Sequence, residues 1–400
     1  MNKVIKKDGT NMYKINEKID EIFDELKELS EYIYNNPELG NQEFLSSKAH
    51  IDFLTKYGFE VEEHFIGIET AFKAVYDSNK PGPTIALLDE YDALPGVGHG
   101  CGHNMIGTIG TGTGIVISKF LDEIGGKVFV IGTPAEETNG AKVDMADKGV
   151  FDNIDAVLMA HPADKSYASI QSLAIEAIKF EFIGKAAHAA SDPEKGINAL
   201  DGVIGTFNNI NALRQHIESS ARIHGIITEG GVAANIVPER AVANFYVRAT
   251  TKKYLTELVG KVKNCARAAA LSTGAKLNIS NYEKTYDDFV SNESFNKLLL
   301  ENMIEYDVEQ LENNRTSLGS LDAGNVSHKC PTVHPMFSIS KTPLIAHTKE
   351  FAMATLTPYA YKQMKSIIGA LSKTGIDLLT NDDLLKKIKA DFDNVVSKEK

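Results

Sequence analysis

A short loop carries two metal-binding side chains separated by one glycine. The run His99-Gly100-Cys101-Gly102-His103-Asn104 can direct a thiol and an imidazole toward one point. Glu136 and Glu137 follow as an adjacent carboxylate pair, and His161 and His347 stand alone further along the chain. Zinc accepts Cys sulfur, His nitrogen and Glu oxygen, and catalytic zinc keeps an open position for water. The set therefore indicates a hydrolytic metal site.

Each part of this set also has a structural interpretation when it is taken alone. The loop could hold a buried thiol and two polar histidines, adjacent acidic residues are favoured at helix N-termini, and His161 and His347 could be structural. In the functional interpretation, one carboxylate of the pair binds metal and the other accepts a proton from the activated water. Asp92, which follows a predicted strand, could orient a ligand imidazole.

Composition argues against several classes of partner. The chain has 400 residues, 43% of them hydrophobic, which is enough for a large core and favours two or more domains. The 54 acidic residues outnumber the 42 basic ones, giving a formal net charge of -12, so we expect no nucleic acid or anionic membrane as partner. No segment approaches the roughly 20 apolar residues of a spanning helix. Three scattered cysteines and no signal-peptide pattern predict a cytoplasmic location.

Hydrophobic spacing predicts alternating helices and strands before residue 175. The predicted elements are helices over 15–37, 42–57 and Met105–Ile124, and strands over Thr70–Tyr76, Pro83–Leu88, Lys127–Gly132 and Ala156–Met159. This alternation predicts an α/β fold with a mostly parallel sheet flanked by helices. Ligands of such sheets bind beyond the carboxyl ends of the strands, where Glu136, Glu137 and His161 fall.

The predicted order changes to β-α-β-β-α-β between about residues 175 and 285. This is the order of a ferredoxin-like arrangement. We therefore predict a discontinuous metal-binding catalytic domain over 1–174 and 286–400, with an inserted α+β lid or dimerisation domain over 175–285. The charged tail, 381–400, predicts a peripheral helix.

Closely spaced glycines within one predicted helix allow a second interpretation. Gly107, Gly110, Gly112 and Gly114 could suggest a phosphate cradle and a nucleotide-dependent enzyme. Their spacing matches neither a dinucleotide fingerprint nor a P-loop. Close packing of the helix is the favoured explanation.

Ordered motifs along nearly the whole chain carry a family resemblance. They are Asn36–Gly40 with Glu43, Glu90–Pro95, His99–Asn104, Pro134–Glu137, Gly184–Ala189, Gly230–Pro238, Gly324–Ser327 and Ala346–Phe351. Together they resemble the co-catalytic metallopeptidase and amidohydrolase family of hippurate hydrolase, auxin-conjugate hydrolases, aminoacylases and carboxypeptidase G. The chain is most similar to the p-aminobenzoyl-glutamate hydrolase and β-alanyl-dipeptidase-like members.

The resemblance implies a set of metal ligands and a catalytic carboxylate. The implied ligands are Cys101, His103, Glu137, His161 and His347, and Glu136 is the implied general acid and base. Five ligands are more than one tetrahedral zinc ion needs. They fit two ions that share a ligand and lie about 3.5–4 Å apart. We expect one or two divalent ions, with zinc favoured by the thiolate and manganese, cobalt or nickel as alternatives.

The resemblance also implies how subunits and substrate are arranged. It implies a homodimer through 175–285 in which His188 reaches the active site of the partner subunit and stabilises a developing oxyanion. Asn235 and Arg248 are implied to position substrate, and an Arg fork suits a free carboxylate. Arg248 could equally be a surface charge of the lid sheet. Asn104 stands where many relatives have Asp, and we expect this difference to concern which substrate is bound rather than the chemistry.

The predicted function is metal-dependent hydrolysis of an amide or peptide bond in a small N-acyl or N-aminoacyl amino acid. Glu136 would take the proton from the water that the metal activates, and Asp92 would support the site. The alternative is a catalytically silent metal-binding or scaffold homologue with the same fold. Loss of a ligand or of the Glu pair would favour that alternative, and neither is lost from the sequence.

Overall fold

The computed structural model describes residues 10–312, 315–316 and 319–399. These residues fold into two compact units. The first unit contains the described residues of Met1–Gln171, Val290–Ser317 and Asn325–Lys398, and the second contains those of Ser172–Phe289 and Leu318–Gly324. Each unit has its own hydrophobic core.

The described strands and helices alternate along much of the chain. The strands are β1 (Glu60–Glu63), β2 (Phe72–Asp77), β3 (Thr84–Asp89), β4 (Lys127–Gly132), β5 (Ala156–Leu158), β6 (His161–Ala163), β7 (Ile170–Gln171), β8 (Ala174–Ile183), β9 (Arg222–Glu229), β10 (Arg240–Ala249), β11 (Lys276–Asn281), β12 (Arg315–Thr316), β13 (Thr332–Val333) and β14 (Met336–Ser338). The helices are α1 (Thr10–Asp20), α2 (Phe23–Asn35), α3 (Phe44–Lys56), α4 (His103–Ile124), α5 (Ala141–Asp147), α6 (Ala199–Leu213), α7 (Lys252–Thr273), α8 (Glu293–Glu305), α9 (Ala323–Ser327), α10 (Lys349–Ala354), α11 (Pro358–Thr380) and α12 (Asp382–Glu399). Among these helices, none is both long enough and apolar enough to cross a membrane.

A six-stranded sheet runs through the first unit in the order β1-β2-β4-β3-β5-β13. Four strands, β4, β3, β5 and β13, run parallel to one another. The strand β2 runs antiparallel to both of its neighbours, β1 and β4. Buried side chains of the long helices α4 and α11 join those of the sheet in one core. The predicted mostly parallel sheet with flanking helices is confirmed.

The helix predicted over 15–37 is two helices in the structure. α1 ends at Asp20 and α2 begins at Phe23, with Ile22 at φ -122° and ψ -7° between them. Ile19, Ile22 and Leu26 are all buried, so the apolar spacing continues across the break. Hydrophobic periodicity alone therefore could not reveal it.

The glycines of α4 allow close contact with neighbouring buried groups. A Cβ at Gly110 would lie 1.8 Å from Asp89 Oδ1, and a Cβ at Gly107 would lie 2.6 Å from His50 Nε2. Both glycines are buried inside the helix. Close packing, rather than a phosphate cradle, explains their spacing.

The second unit has the predicted β-α-β-β-α-β order. Its antiparallel sheet has the strand order β11-β8-β10-β9. Phe180, Phe182 and Phe245 are buried in its core together with apolar residues of α6 and α7. The edge strand β9 exposes Ile226 and Ile227, at 64% and 44% of their surface. The expected inserted α+β fold is confirmed.

Candidate active site

Polar residues follow the ends of four parallel strands at one edge of the sheet. Glu90 follows β3, the Glu136 loop follows β4, His161 follows β5, and His334 follows β13. Carboxyl ends of parallel strands share an edge, so the topology itself gathers these side chains. This edge is the candidate active site.

The loop before α4 places Cys101 and His103. Gly102 has φ 76°, a left-handed conformation that favours glycine, and it ends the loop directly before the helix. A Cβ at Gly102 would also lie 2.7 Å from Pro162 Cγ. The turn therefore lets Cys101 and His103, both buried, lie close together at the helix start.

The Asp92 carboxylate connects two of the predicted ligands. His103 Nδ1–H donates to the Asp92 backbone oxygen at 2.9 Å and to Oδ1 at 3.0 Å. The other oxygen, Oδ2, accepts the backbone N–H of Glu137 at 3.0 Å. Because Nδ1 carries the proton, Nε2 of neutral His103 presents its lone pair away from Asp92.

The Glu43 carboxylate holds the turn that precedes Glu136 and Glu137. Ala135 has φ 63°, a left-handed conformation that costs a non-glycine residue about 1 kcal/mol. Glu43 Oε1 accepts the Ala135 N–H at 2.8 Å, and Oε2 accepts the Thr70 hydroxyl at 2.9 Å. Burial raises the pKa of Glu43 to about 7. These hydrogen bonds fix the turn that presents the carboxylate pair.

His161 lies between two other histidine rings. Its ring centroid is 6.1 Å from that of His103 in an edge arrangement and 5.9 Å from that of His334 in a stacked one. Burial lowers the pKa of His161 to about 3 and that of His334 to about 4. A neutral imidazole is the form that binds a metal ion.

His347 approaches from the end of a loop before α10. It has φ 65°, and its backbone N–H donates to the Gly100 oxygen at 2.9 Å. Its Nε2 lies 3.8 Å from Glu137 Oε1, and 59% of its side chain is exposed. His347 therefore lies on the open side of the site, whereas Cys101 and His103 lie on the buried side.

The structure brings the five predicted ligands and Glu136 together. Ligand atoms lie within 4.8 Å of one another in each of three groups, which are Cys101 with His103 and His161, Cys101 with Glu137 and His347, and His103 with Glu136 and Glu137. His103 Nε2 and Glu137 Oε1 are buried without a hydrogen-bond partner among the described residues. Converging soft and hard donors with unsatisfied lone pairs fit a divalent transition metal.

The electrostatics of the cluster also fit a cation. Burial opposes a charge on His103, but the Asp92 carboxylate outweighs it and raises the pKa of His103. Burial raises the pKa of the Cys101 thiol to about 12. A bound metal ion would deprotonate such a thiol outright.

Three further predicted residues lie in the second unit. His188 is exposed, and its Nδ1 accepts the backbone N–H groups of Ala190 and Ser191 at 3.2 and 3.1 Å. The neutral ring therefore carries its proton on Nε2, as an oxyanion donor requires. The backbone oxygen of Asn235 accepts the Ala189 N–H at 3.0 Å, which places Asn235 beside His188.

Within the second unit, Arg248 lies far from His188 and Asn235. It pairs with Ile175 near the end of β10, whereas the loop of His188 follows the opposite end of β8. The eight residue steps from Arg240 to Arg248 span about 26 Å of strand. The Arg248 guanidinium lies 5.8 Å from the Tyr246 ring centroid and donates to Ser320 Oγ at 3.1 Å.

Sequence reasoning missed two buried neighbours of the ligands, Glu90 and Lys142, which form an ion pair at 2.7 Å. His334, which follows β13, stacks on His161. Glu90 could have been found, since it lies at a strand end two residues before Asp92. The Asn104 side chain donates to the buried hydroxyls of Ser30 and Thr355.

Comparison with known proteins identifies the family. Residues 81–363 match Peptidase family M20/M25/M40. The mouse Xaa-Arg dipeptidase is 35% identical over 396 residues, which cover 94% of this chain and 90% of the relative. One of the p-aminobenzoyl-glutamate hydrolase chains of Escherichia coli (strain K12) is 28% identical over 447 residues and 92% of each protein.

Solved structures show the same fold. A putative aminohydrolase from methicillin resistant Staphylococcus aureus has a TM-score of 0.80 at 19% identity, over 92% of this chain and 99% of that one. A Bacillus subtilis protein described as a dinuclear metal binding peptidase from the M20 family has a TM-score of 0.65 at 18% identity, over 88% and 98%.

The α/β fold and the cluster of candidate metal ligands are those of a metallohydrolase. The chain belongs to Peptidase family M20/M25/M40. It is a metal-dependent hydrolase that acts on peptide or amide bonds of small acylated amino acids. The family resemblance predicted from the motifs is confirmed.

Replacing Asp92 with Asn should weaken metal binding without unfolding the chain. The Asn oxygen can accept from only one of the two donors, so its NH₂ group must face either His103 Nδ1–H or the Glu137 N–H. We expect a loss of affinity of about 10- to 100-fold for zinc, measured by competition with a chromophoric chelator. Unchanged affinity in Asp92→Asn would show that the bridging carboxylate does not position the ligands.

Proposed function

We propose that Cys101, His103, Glu137, His161 and His347 bind two divalent ions, zinc in the first instance. Cys101, His103 and Glu137 each belong to two of the three ligand groups, and the support is that Cys101 joins the group of His161 to the group of His347. One group lies on the buried side and the other reaches His347 on the open side. The name of the Bacillus subtilis fold relative, which mentions a dinuclear site, points the same way. Manganese, cobalt and nickel are the alternatives to zinc.

The proposed reaction is hydrolysis of the amide bond in an N-acyl or N-aminoacyl amino acid. Bound divalent ions supply Lewis acidity, which polarises the scissile carbonyl and lowers the pKa of water. The Glu136 carboxylate accepts the proton that water loses as its oxygen joins the acyl carbon. The same carboxyl group then gives that proton to the leaving amine as the C–N bond breaks. Asp92 keeps His103 and the Glu137 backbone in place throughout.

The observation that carries this proposal is the position of Glu136 in the cluster. Its carboxylate lies within 4.8 Å of ligand atoms of His103 and Glu137, on the loop that Glu43 and Asp92 hold. Its neighbour Glu137 has the buried, unsatisfied oxygen. Two adjacent carboxylates can thereby divide the work, one as ligand and one as proton carrier.

Glu136→Gln should keep metal content and lose turnover. An amide is nearly the same size but cannot carry the proton, so kcat should fall by about 10²- to 10⁴-fold. Glu257→Gln, on the exposed face of α7 where Glu257 pairs with Lys261 at 2.7 Å, is the matched control. Metal content by atomic emission and kcat on a panel of dipeptides and acyl amino acids give the two readouts.

Two results would contradict the assignment. Near-normal kcat in Glu136→Gln would remove Glu136 from the chemistry. A wild-type protein that binds metal tightly and hydrolyses nothing in the panel would favour the catalytically silent alternative. The panel should include β-alanyl and γ-aminobutyryl dipeptides as well as benzoyl and p-aminobenzoyl amino acids.

We extend the proposal to a substrate with a free carboxylate held by Arg248. The Arg248 side chain extends from a sheet strand beside Tyr246 and Ser320, which restrain the guanidinium. A guanidinium fork matches a carboxylate. The name of the mouse relative, Xaa-Arg dipeptidase, makes dipeptides with C-terminal arginine the first substrates to try.

Arg248→Gln should lower kcat/KM for carboxylate substrates and not for their amides. Losing a hydrogen bond to a charged group costs about 1.5–3 kcal/mol, which corresponds to roughly 10- to 150-fold. Arg222→Gln is the control, because Arg222 is the exposed register partner of Arg248 on β9. Equal losses on a dipeptide and on its C-terminal amide would show that Arg248 does not recognise the carboxylate.

We also propose a homodimer through 175–285 in which His188 and Asn235 act on the active site of the partner subunit. The edge strand β9 exposes two isoleucines, Ile226 and Ile227, which contact with a partner subunit would bury. The hydrogen bond from Ala189 N–H to the backbone oxygen of Asn235 holds Asn235 beside His188, so His188 and Asn235 would enter a site together. Their separation from Arg248 along the sheet fits contributions from two chains to one site.

Mixing two inactive variants tests this arrangement. If His188 acts across the dimer, Glu136→Gln and His188→Ala chains form heterodimers with one intact site. Random exchange should then restore about a quarter of wild-type activity. Each variant alone is the control, and sedimentation equilibrium reports the oligomeric state. No recovery in demonstrated heterodimers would place His188 in the site of its own chain, and full activity of His188→Ala alone would place it outside any site.

The three cysteines are free thiols, which suits a reducing compartment. We therefore propose a cytoplasmic location for this enzyme. Fractionation of cells that express it would test this point, and recovery outside the cytoplasm would contradict it.

A further inference from the structure

A buried ion pair lies beside the candidate ligands and has no role in the reaction described above. Lys142 Nζ lies 2.7 Å from Glu90 Oε1, and the two side chains are 0% and 3% exposed. Lys142 is in the first turn of α5, and Glu90 directly follows β3. The pair thus connects a strand end to the helix that follows the Glu136-Glu137 loop.

The second oxygen of Glu90 faces the ligands. Glu90 Oε2 lies 3.5 Å from His103 Nε2, the nitrogen that is turned away from Asp92. Glu137 Oε1 lies 4.0 Å from the same nitrogen. Glu90 Oε2 and Glu137 Oε1 thus both lie near His103 Nε2, while the Lys142 ammonium binds the far oxygen of Glu90. Glu90 itself belongs to none of the three ligand groups found among the described residues.

A buried ion pair needs a reason to persist. Desolvating two charges can cost more than their attraction returns, and apolar replacements are often tolerated. Here the pair places a carboxylate next to the metal-type cluster and opposes its charge from the other side. Such a carboxylate attracts a cation at the ligands, and Lys142 limits that attraction.

We propose that Glu90 and Lys142 form a positioning pair that sets the affinity of the cluster for divalent ions. Glu90 strengthens cation binding as an acidic neighbour of His103. Lys142 holds Glu90 by its far oxygen and offsets its charge. This inference rests on the proposed metal site and deepens it by naming the residues that tune it.

The two partners should have effects of opposite sign. Glu90→Gln removes the attracting charge and leaves a buried ammonium near the ligands, so divalent ions should bind more weakly. Lys142→Met leaves Glu90 with its full charge facing His103, so divalent ions should bind more tightly. A pair that only supports the fold would give weaker binding in both variants, because each loss would disorder the ligands.

The experiment measures zinc and manganese affinity by competition with a chromophoric chelator. We expect a shift of about tenfold or more in each direction, the scale on which neighbours of metal ligands act. The double variant Glu90→Gln/Lys142→Met should lie between the single variants. Lys127→Met is the matched control, since it breaks an ion pair of the same 2.7 Å length with Asp77 at the amino end of β4.

Weaker binding in Lys142→Met than in wild type would overturn the proposal, provided that circular dichroism shows a folded chain. If Lys142→Met does not fold, the comparison of Glu90→Gln with the double variant gives the same test. The double variant must bind more tightly, because it lacks the buried ammonium, and equal or weaker binding would also overturn the proposal. A wild-type chain without divalent affinity would instead refute the proposed metal site.

Discussion

The Asp92 carboxylate is the contact on which the geometry of the site depends. It is buried, and its two oxygens serve different segments, His103 at the start of α4 and the Glu137 backbone after β4. Burial raises its pKa, but His103 outweighs that effect and keeps the pKa below its usual value. The charged form is therefore retained inside the protein. One group thus sets the tautomer of one ligand and the position of the next.

Strained turns complete the positioning that the strands begin. Ala135 and His347 are both left-handed, and each has a backbone hydrogen bond to a partner in another segment. For Ala135 the partner is Glu43, whose carboxylate is buried, and for His347 it is the Gly100 oxygen in the Cys101 loop. Strain of this kind persists only where surrounding contacts determine the conformation. Those contacts come from the Glu43 carboxylate, just before α3, and from the loop that leads into α4.

Much of this arrangement follows from local sequence. Cys101, His103, Glu136 and Glu137 form short motifs next to buried strands, and the parallel topology then brings them to one edge. His347 could be named as a candidate from its residue type, but no local motif placed it, and its role as a ligand came from the family resemblance. Its approach to Glu137 depends on a loop nearly 250 positions after Cys101 in the sequence. No local pattern encodes a contact of that range.

Other features were hidden because their sequence context is ordinary. Lys142 occurs in a short polar stretch typical of a surface, and only the fold shows it fully buried against Glu90.

The negative charge of the cluster links the stability of the folded protein to the binding of a divalent ion. Four carboxylates, Glu90, Asp92, Glu136 and Glu137, lie near His103, and Lys142 pairs with Glu90. Mutual repulsion of such groups in a medium of low dielectric opposes folding. The cost is reduced where His103 accepts a proton, as its raised pKa indicates, and it is reduced further where a divalent ion replaces that proton. Proton and metal ion therefore compete for His103 Nε2, and the carboxylates that repel one another in the cluster also give it affinity for a cation.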